Sequence, residues 1–321
     1  MKLEMYIQNS NDGTVYDVTE VAEQTTVTQN IDGTAGKLTC ILQKDPNNLL
    51  KLANGSIVSF HVNGVGFFFG YIFSIGTDMN ENYQITAYDS LRYLKNSDIY
   101  NFEKGTTASG IFEKICKDYS IKYKVNVPTN YKPEPYQFTN KTLYSMIKRG
   151  MDLASINDKK RYFITDNFGT LTWDELSANK TNIQLGDGSL LTSYTYETSI
   201  DTDTYNQIKL YSETKKENKI DVWIVKDTNN IKRWGVLQLL KQVDDTLNSS
   251  QVRQMAEDLL SVKNRQTETL KLTGDGILEL VCGKGVKVVI GREGIDKWLW
   301  ITSSTHTFTK NSHTMDLEVE L

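Results

Sequence analysis

The chain has 321 residues, a net charge of −4 and 39% hydrophobic residues. That length is enough for two or three domains with real cores. The charge gives no bulk attraction to nucleic acid or anionic lipid, and no apolar run reaches transmembrane length. Cys40, Cys116 and Cys282 are odd in number and far apart. This argues against a disulfide framework and for folding in a reducing cytoplasm. Residues 1–6 lack the apolar segment of a signal peptide.

Residues 1–97 carry strand patterns broken by turns. Asn11-Asp12-Gly13, Ile31-Asp32-Gly33, Asn54-Gly55 and Asn63-Gly64 are turn signals, and Asp45-Pro46-Asn47-Asn48 is another. Leu38, Cys40 and Leu42 share one strand face, as do Val58, Phe60 and Val62. The run Phe67, Phe69, Tyr71, Phe73 is apolar on one face, with Phe68 and Ile72 on the other. Such a strand is covered on both sides or lies at a subunit interface. A small barrel or sandwich closes strands of this kind.

The stretch Tyr83 to Asn96 changes period. Tyr83, Ile85 and Ala87 alternate like a half-buried strand. Asp89 then fits the cap of a short helix with Leu91 and Leu94 on one side. This marks a hinge between two domains.

Residues 98–180 read as a small α+β domain. Thr106 or Thr107 caps a helix with Phe112, Ile115, Cys116 and Tyr119 on one face. Pro128, Pro133 and Pro135 make an extended loop. A second helix carries Leu143, Met146, Ile147, Met151 and Ala154, and a hairpin turns at Asp166-Asn167-Phe168-Gly169.

Residues 181–321 return to β, with one helix at about 249–264 capped by Ser249 or Ser250. Asp187-Gly188 and Asp227-Thr228-Asn229-Asn230 are expected turns, the latter with Val222, Ile224, Ile231 and Val236 in flanking strands. Leu270–Thr273 and Ile277–Val281 are expected to flank a hairpin at Gly274-Asp275-Gly276. The last strand alternates Met315, Leu317 and Val319 with Asp316, Glu318 and Glu320. The two β regions also share an order of features. Gly55 precedes a strand, a glycine turn and Phe69–Ile72; Gly285 precedes a strand, a glycine turn and Trp298–Ile301.

Chemistry-bearing constellations are thin. His61, His306 and His313 are the histidines, and the last two face each other across a hairpin, too few to hold a metal. Cys282-Gly-Lys-Gly285 lacks P-loop spacing and reads as a turn. No pair of carboxylates stands out as a glycosidase dyad. Asp316, Glu318 and Glu320 form either the solvated face of an edge strand or the acidic wall of a lumen that repels a polyanion. The run Phe67, Phe69, Tyr71, Phe73 is either core or an intersubunit contact.

Several segments in order resemble the phage baseplate hub family labelled XkdQ/YqbQ. They are Ala87 to Asn96, Thr106-Thr107-Ala108-Ser109 with Ile111, Trp234-Gly235 with Leu237, Gln251 to Leu260, Gly274-Asp275-Gly276, and His306-Thr307-Phe308 with His313 to Leu317. The resemblance implies two tube-type β-barrels, at 1–97 and 181–321, with an α/β insertion at 98–180. It further implies a trimeric, non-enzymatic adaptor without cofactor, joining the sixfold tail tube to the threefold spike in the baseplate of a contractile tail or tail-like particle. Its partners would be its own copies, the tube protein, the spike protein and LysM-type baseplate neighbours. DNA would be only a transient cargo through the lumen, and assembly would take place in the host cytoplasm. The alternative is a tail-associated peptidoglycan hydrolase. Asp89 would then be a structural cap where the first barrel ends.

Overall fold

The computed structural model describes residues 1–44, 49–201, 203–214, 219–243 and 247–321. The expected turn at residues 45–48 lies outside them. Contacts divide the chain into two compact units. One comprises Met1–Tyr194 with Lys271–Glu320, the other Thr195–Leu270 with Leu321.

The first unit is organised by an open sheet, which accounts for most of a 13-stranded network. One half runs Ala22–Asn30, Lys37–Leu42, Tyr83–Tyr88, Val65–Thr77, Ile57–Val62, Leu3–Gln8, in spatial order. The other runs Leu191–Ser199, Thr267–Asp275, His313–Glu320, Ile295–Phe308, Gly285–Ile290, Lys180–Gly186, of which residues 195–199 and 267–270 are counted in the second unit. The halves are joined where Ser303–Phe308 pairs antiparallel with Thr25–Asn30. Two separate closed barrels were expected. Among the described residues no barrel closes: the strand order is an open path, and the second edge of Ala22–Asn30 is taken by Ile295–Phe308 of the other half.

The halves are two copies of one strand plan. In each, a strand pair is followed by a three-strand antiparallel meander: Ile57–Val62, Val65–Thr77, Tyr83–Tyr88 in the first, Gly285–Ile290, Ile295–Phe308, His313–Glu320 in the second. Each long middle strand carries a one-residue bulge after an isoleucine. The shift falls between Ile72 and Ser74, and again between Ile301 and Ser303. Turn hydrogen bonds fix the alignment. The Gly55 amide donates to the Ile72 carbonyl at 2.7 Å, and the Ile72 amide to Ser56 at 2.8 Å. The Gly283 amide donates to Ile301 at 2.8 Å, and the Ile301 amide to Lys284 at 2.9 Å. Gly55 and Gly283 share φ near +84° and +85°, a region open to glycine. The counterpart of Gly55 is therefore Gly283, and not Gly285 as the apolar spacing indicates. The sixth strands differ in direction. Leu3–Gln8 runs antiparallel to its neighbour, whereas Lys180–Gly186 runs parallel.

Period-2 patterning explains the core of the first half. Leu38, Cys40, Leu42, Val58, Phe60 and Val62 are buried on one face, with Met5, Ile7, Phe68 and Ile72. Between the halves the chain leaves the sheet at Asp89 for the α/β insertion. Thr107 accepts the Gly110 amide at the start of helix Ala108–Asp118, and Thr142 accepts that of Ser145 at the start of Leu143–Asp158. Their buried faces, including Phe112, Ile115, Leu143, Met146 and Ile147, meet Trp173 of the hairpin Tyr162–Asp166/Leu171–Glu175. Gly66 admits the hairpin tip. A Cβ there would lie 2.5 Å from the Phe168 ring.

The second unit has its own core. Strand Gln207–Thr214 lies between Lys219–Lys226 and Gln238–Gln242, and helix Ser249–Lys263 covers one face through Val252 and Ala256 on Ile208 and Leu210. Asn248, and not Ser249 or Ser250, caps this helix, forming a capping box with Gln251. Residues 228–234 form a short helix capped by Asp227, whereas a turn between strands was expected. Asp227 accepts both the Asn229 and Asn230 amides, so a turn-like sequence continues as helix. Ile277–Val281 is not a strand. The Leu280 amide closes on Ile277 and the chain turns through residues 282–283.

Candidate functional sites: a buried acid pair, a histidine pair and the sheet faces

Asp89 ends the first half of the sheet. One carboxylate oxygen accepts the Gly36 amide at 2.9 Å, and the other accepts that of Leu91 at 3.0 Å. The side chain thus ties the hairpin after Ala22–Asn30 to the 3-10 turn Ser90–Lys95. Asp166 comes from the inserted hairpin and accepts the amides of Ser90, at 3.1 Å, and Gly169. Both acids are buried. Burial pushes the Asp89 carboxyl well above the usual range, and the nearby Asp166 pushes it further; the two amides oppose this. Burial also raises Asp166, against the amides it accepts. Every oxygen of the pair is occupied by the chain's own backbone. The pair therefore joins sheet to insertion. Its position before a helix singles out Asp89 in the sequence. The turn signal marks Asp166 as a hairpin residue, but nothing local announces its bond to Ser90, 76 residues away.

His306 is buried on the long strand Ile295–Phe308. Its Nε2 lies 3.0 Å from the Leu280 carbonyl, so this nitrogen carries the proton. Its Nδ1, 2.9 Å from His313 Nε2, then accepts. Burial and the neighbouring His313 lower the His306 pKa to about 4. The rings of Phe67 and Phe308 enclose the pair at 5.2 Å from His306 and 4.1 Å from His313 respectively. Among the described residues no three His, Cys, Asp or Glu side chains gather at metal-binding distance.

The aromatic stripe of Val65–Thr77 is covered mainly by the chain itself. Phe69 meets Phe168 at 5.6 Å, Tyr71 meets Tyr93 at 5.4 Å, and Phe67 meets Phe308 at 5.2 Å. Phe73 lies beside Tyr88 and under the Arg92 guanidinium, and it stays 37% exposed. Phe67, Phe69 and Tyr71 are half-buried, and Phe73 is the exposed one of the four.

Asp316, Glu318 and Glu320 alternate on His313–Glu320 as the pattern predicts. This strand is not a sheet edge. It lies between Thr267–Asp275 and Ile295–Phe308. Its acids have partners: Thr273 Oγ1 donates to Asp316 at 2.6 Å, Lys271 reaches Glu318 at 2.7 Å, and Arg161 pairs with Glu320. A cavity of about 370 Å³ lies where the hairpin meets the sheet, lined by Gly66, Asn126, Phe163, Asp166, Phe168 and Lys284, among others. Its carboxylates already hold protein donors, with Asp174 accepting from Asn126 at 2.8 Å.

The YQBQ-like family model matches residues 25–320. The phage-like element PBSX protein XkdQ of Bacillus subtilis (strain 168) is 29% identical over 287 residues, covering 88% of this chain and 86% of XkdQ. Among solved structures, the prophage MuSo2 43 kDa tail protein from Shewanella oneidensis superposes with a TM-score of 0.72 at 15% identity, covering 98% of each chain. The E. coli c3393 protein, a type VI secretion component with structural similarity to the T4 tail proteins gp27 and gp5, gives 0.55 at 11% identity, covering all of this chain and 76% of its own.

Proposed function

The chain belongs to the YQBQ-like family, and from that premise we propose that it is a structural, non-enzymatic hub of a contractile phage tail or tail-like particle. It acts as a trimeric adaptor between the sixfold tail tube and the threefold spike. The observation that carries this reading is the duplicated strand plan with matching bulges after Ile72 and Ile301. A trimer of a duplicated chain offers six similar modules to a sixfold neighbour and three chains to a threefold one, which is what a symmetry mismatch requires. The tail protein and secretion component of the same fold support the same setting.

In this reading 1–97 and 181–321 supply the tube-type modules and 98–180 the insertion. Partners are the chain's own copies, the tube and spike proteins and LysM-type baseplate neighbours, with DNA passing only transiently. Asp316, Glu318 and Glu320 would line the lumen, their charge moderated by Lys271 and Arg161. Phe73 would carry what remains of the apolar intersubunit contact.

The test is the assembly state of the purified chain, alone and with the spike protein, by light scattering and electron microscopy. Trimers or rings are expected. A strictly monomeric chain at high concentration with spike present overturns the reading, and so does peptidoglycan lysis abolished by a single carboxylate substitution.

A further inference from the structure

We infer that the backbone edge of residues 74–77 receives strand Leu191–Ser199 of a second copy, so that copies join as the two halves of one chain already do. This rests on the ring reading above and names the surface that would build the ring. Within the chain, Ser303–Phe308 has two neighbours. His313–Glu320 lies along one edge. Thr25–Asn30 lies along the other, from Ser303 opposite Asn30 to Phe308 opposite Thr25.

The matching bulges locate the corresponding stretch in the first repeat. After Ile72 and Ile301 each strand gains one residue, so residues 74–77 correspond to 303–306. One edge of 74–77 is taken by 83–86. On the other edge, strand Ile57–Val62 reaches only to Tyr71. Beyond it that edge has no strand among the described residues.

Backbone direction agrees as well. The Asp78 amide donates to the Asn82 carbonyl. Alternation along an antiparallel ladder then turns Ser74 and Gly76 toward Tyr83–Tyr88, and Ile75 and Thr77 outward. In the second repeat the Thr309 amide donates to Ser312. By the same alternation Ser304 and His306, the counterparts of Ile75 and Thr77, face Ala22–Asn30. The first repeat thus presents the donors that the second repeat has already used.

The complementary strand is equally identifiable. Ala22–Asn30 flanks Lys37–Leu42 in the first repeat, and Leu191–Ser199 flanks Thr267–Asp275 in the second. Ala22–Asn30 is held on its far side by the other repeat, whereas Leu191–Ser199 ends the strand order among the described residues. The internal seam places Thr28 against Thr305 at 3.1 Å and Thr26 against Thr307 at 3.5 Å. Leu191–Ser199 carries hydroxyls at 192, 193, 195, 198 and 199. A contact that uses different surfaces on its two sides propagates, and closes into a ring when its rotation allows. Bare strand edges invite such addition, through main-chain hydrogen bonds. Phe73 and the fully exposed Met79 flank this edge.

The test combines amide hydrogen exchange with the variant Thr77→Pro. Thr77 is exposed and its amide points away from the ladder, so proline removes only an outward donor. In assembled wild type the amides of Ile75, Thr77 and 191–199 should exchange more slowly than in dilute monomer. Thr77→Pro should raise the concentration of half-assembly about tenfold. If rings form while these amides exchange as in the monomer, or if a folded Thr77→Pro assembles like wild type, the edge assignment is overturned and the ring reading stands. A wild type that never assembles, even with spike present, overturns both. Should Thr77→Pro misfold, the exchange pattern of wild type decides alone.

Discussion

At the scale of single residues, the buried acids and histidines impose opposite pH dependences. Asp89→Ala would strand two amides, those of Gly36 and Leu91, away from water. The cost should be about 1–3 kcal/mol, read from urea unfolding. An unchanged midpoint would mean that water or another group replaces the carboxylate. The pKa of Asp89 is raised in the folded state, so its proton is held more tightly there than in the unfolded chain. Its stabilising contribution is full below the ordinary carboxylate range and is lost as pH rises through the folded value. Asp166→Asn removes the neighbouring charge, so this loss with rising pH should flatten, in urea midpoints taken from mildly acidic to mildly alkaline pH. His306 works the other way. Its pKa falls from 6.5 to about 4, so stability is lost as pH drops through that window, by up to about 3 kcal/mol. A folded His306→Gln should show a shallower acid limb below pH 6.5 than wild type. An identical limb would place the titration elsewhere.

At the scale of elements, what could be read in the sequence depended on how local the determinant is. Strands with one buried face were legible because alternation is written into residues such as Val58, Phe60 and Val62. Turns at Asn63-Gly64 and caps at Asp89 and Thr107 were legible because the side chain acts within three residues of itself. The helix at 228–234 was not, since Asp227-Thr228-Asn229-Asn230 serves a turn and a helix start equally well until Asp227 commits to two amides. Nor was the seam between Thr25–Asn30 and Ser303–Phe308, because hydroxyl-rich strands with small side chains carry weak register information. The duplication was half legible. Apolar spacing brought Ile72 and Ile301 together but set Gly285 against Gly55, whereas the turn bonds choose Gly283. The Asp89–Asp166 pair was invisible for the same reason as the seam, since no local pattern announces that Asp166 reaches Ser90, 76 residues away. The capping box of Asn248 and Gln251 yields a prediction at this scale. Asn248→Ala should destabilise helix Ser249–Lys263 by about 1 kcal/mol, seen as faster amide exchange in its first turn. Equal exchange would show that Ser249 or Ser250 can take over the cap.

At the scale of the whole molecule, the division of contacts has a thermodynamic consequence. The unit Thr195–Leu270 buries Ile208, Leu210, Val252 and Ala256 in a cluster of its own, while the sheet and the insertion bury their cores separately. A chain of this length with distinct cores need not unfold in one step. Val252 is fully buried on the helix face, so Val252→Ala removes two methyl-sized groups from the smaller core. The expected cost is about 1–3 kcal/mol. Scanning calorimetry should then show one transition moving down while a larger one, belonging to the sheet and insertion, stays in place. Ile147→Ala, in the buried face of helix Leu143–Asp158, should do the reverse. If either variant shifts the whole profile together, the two units unfold as one cooperative body.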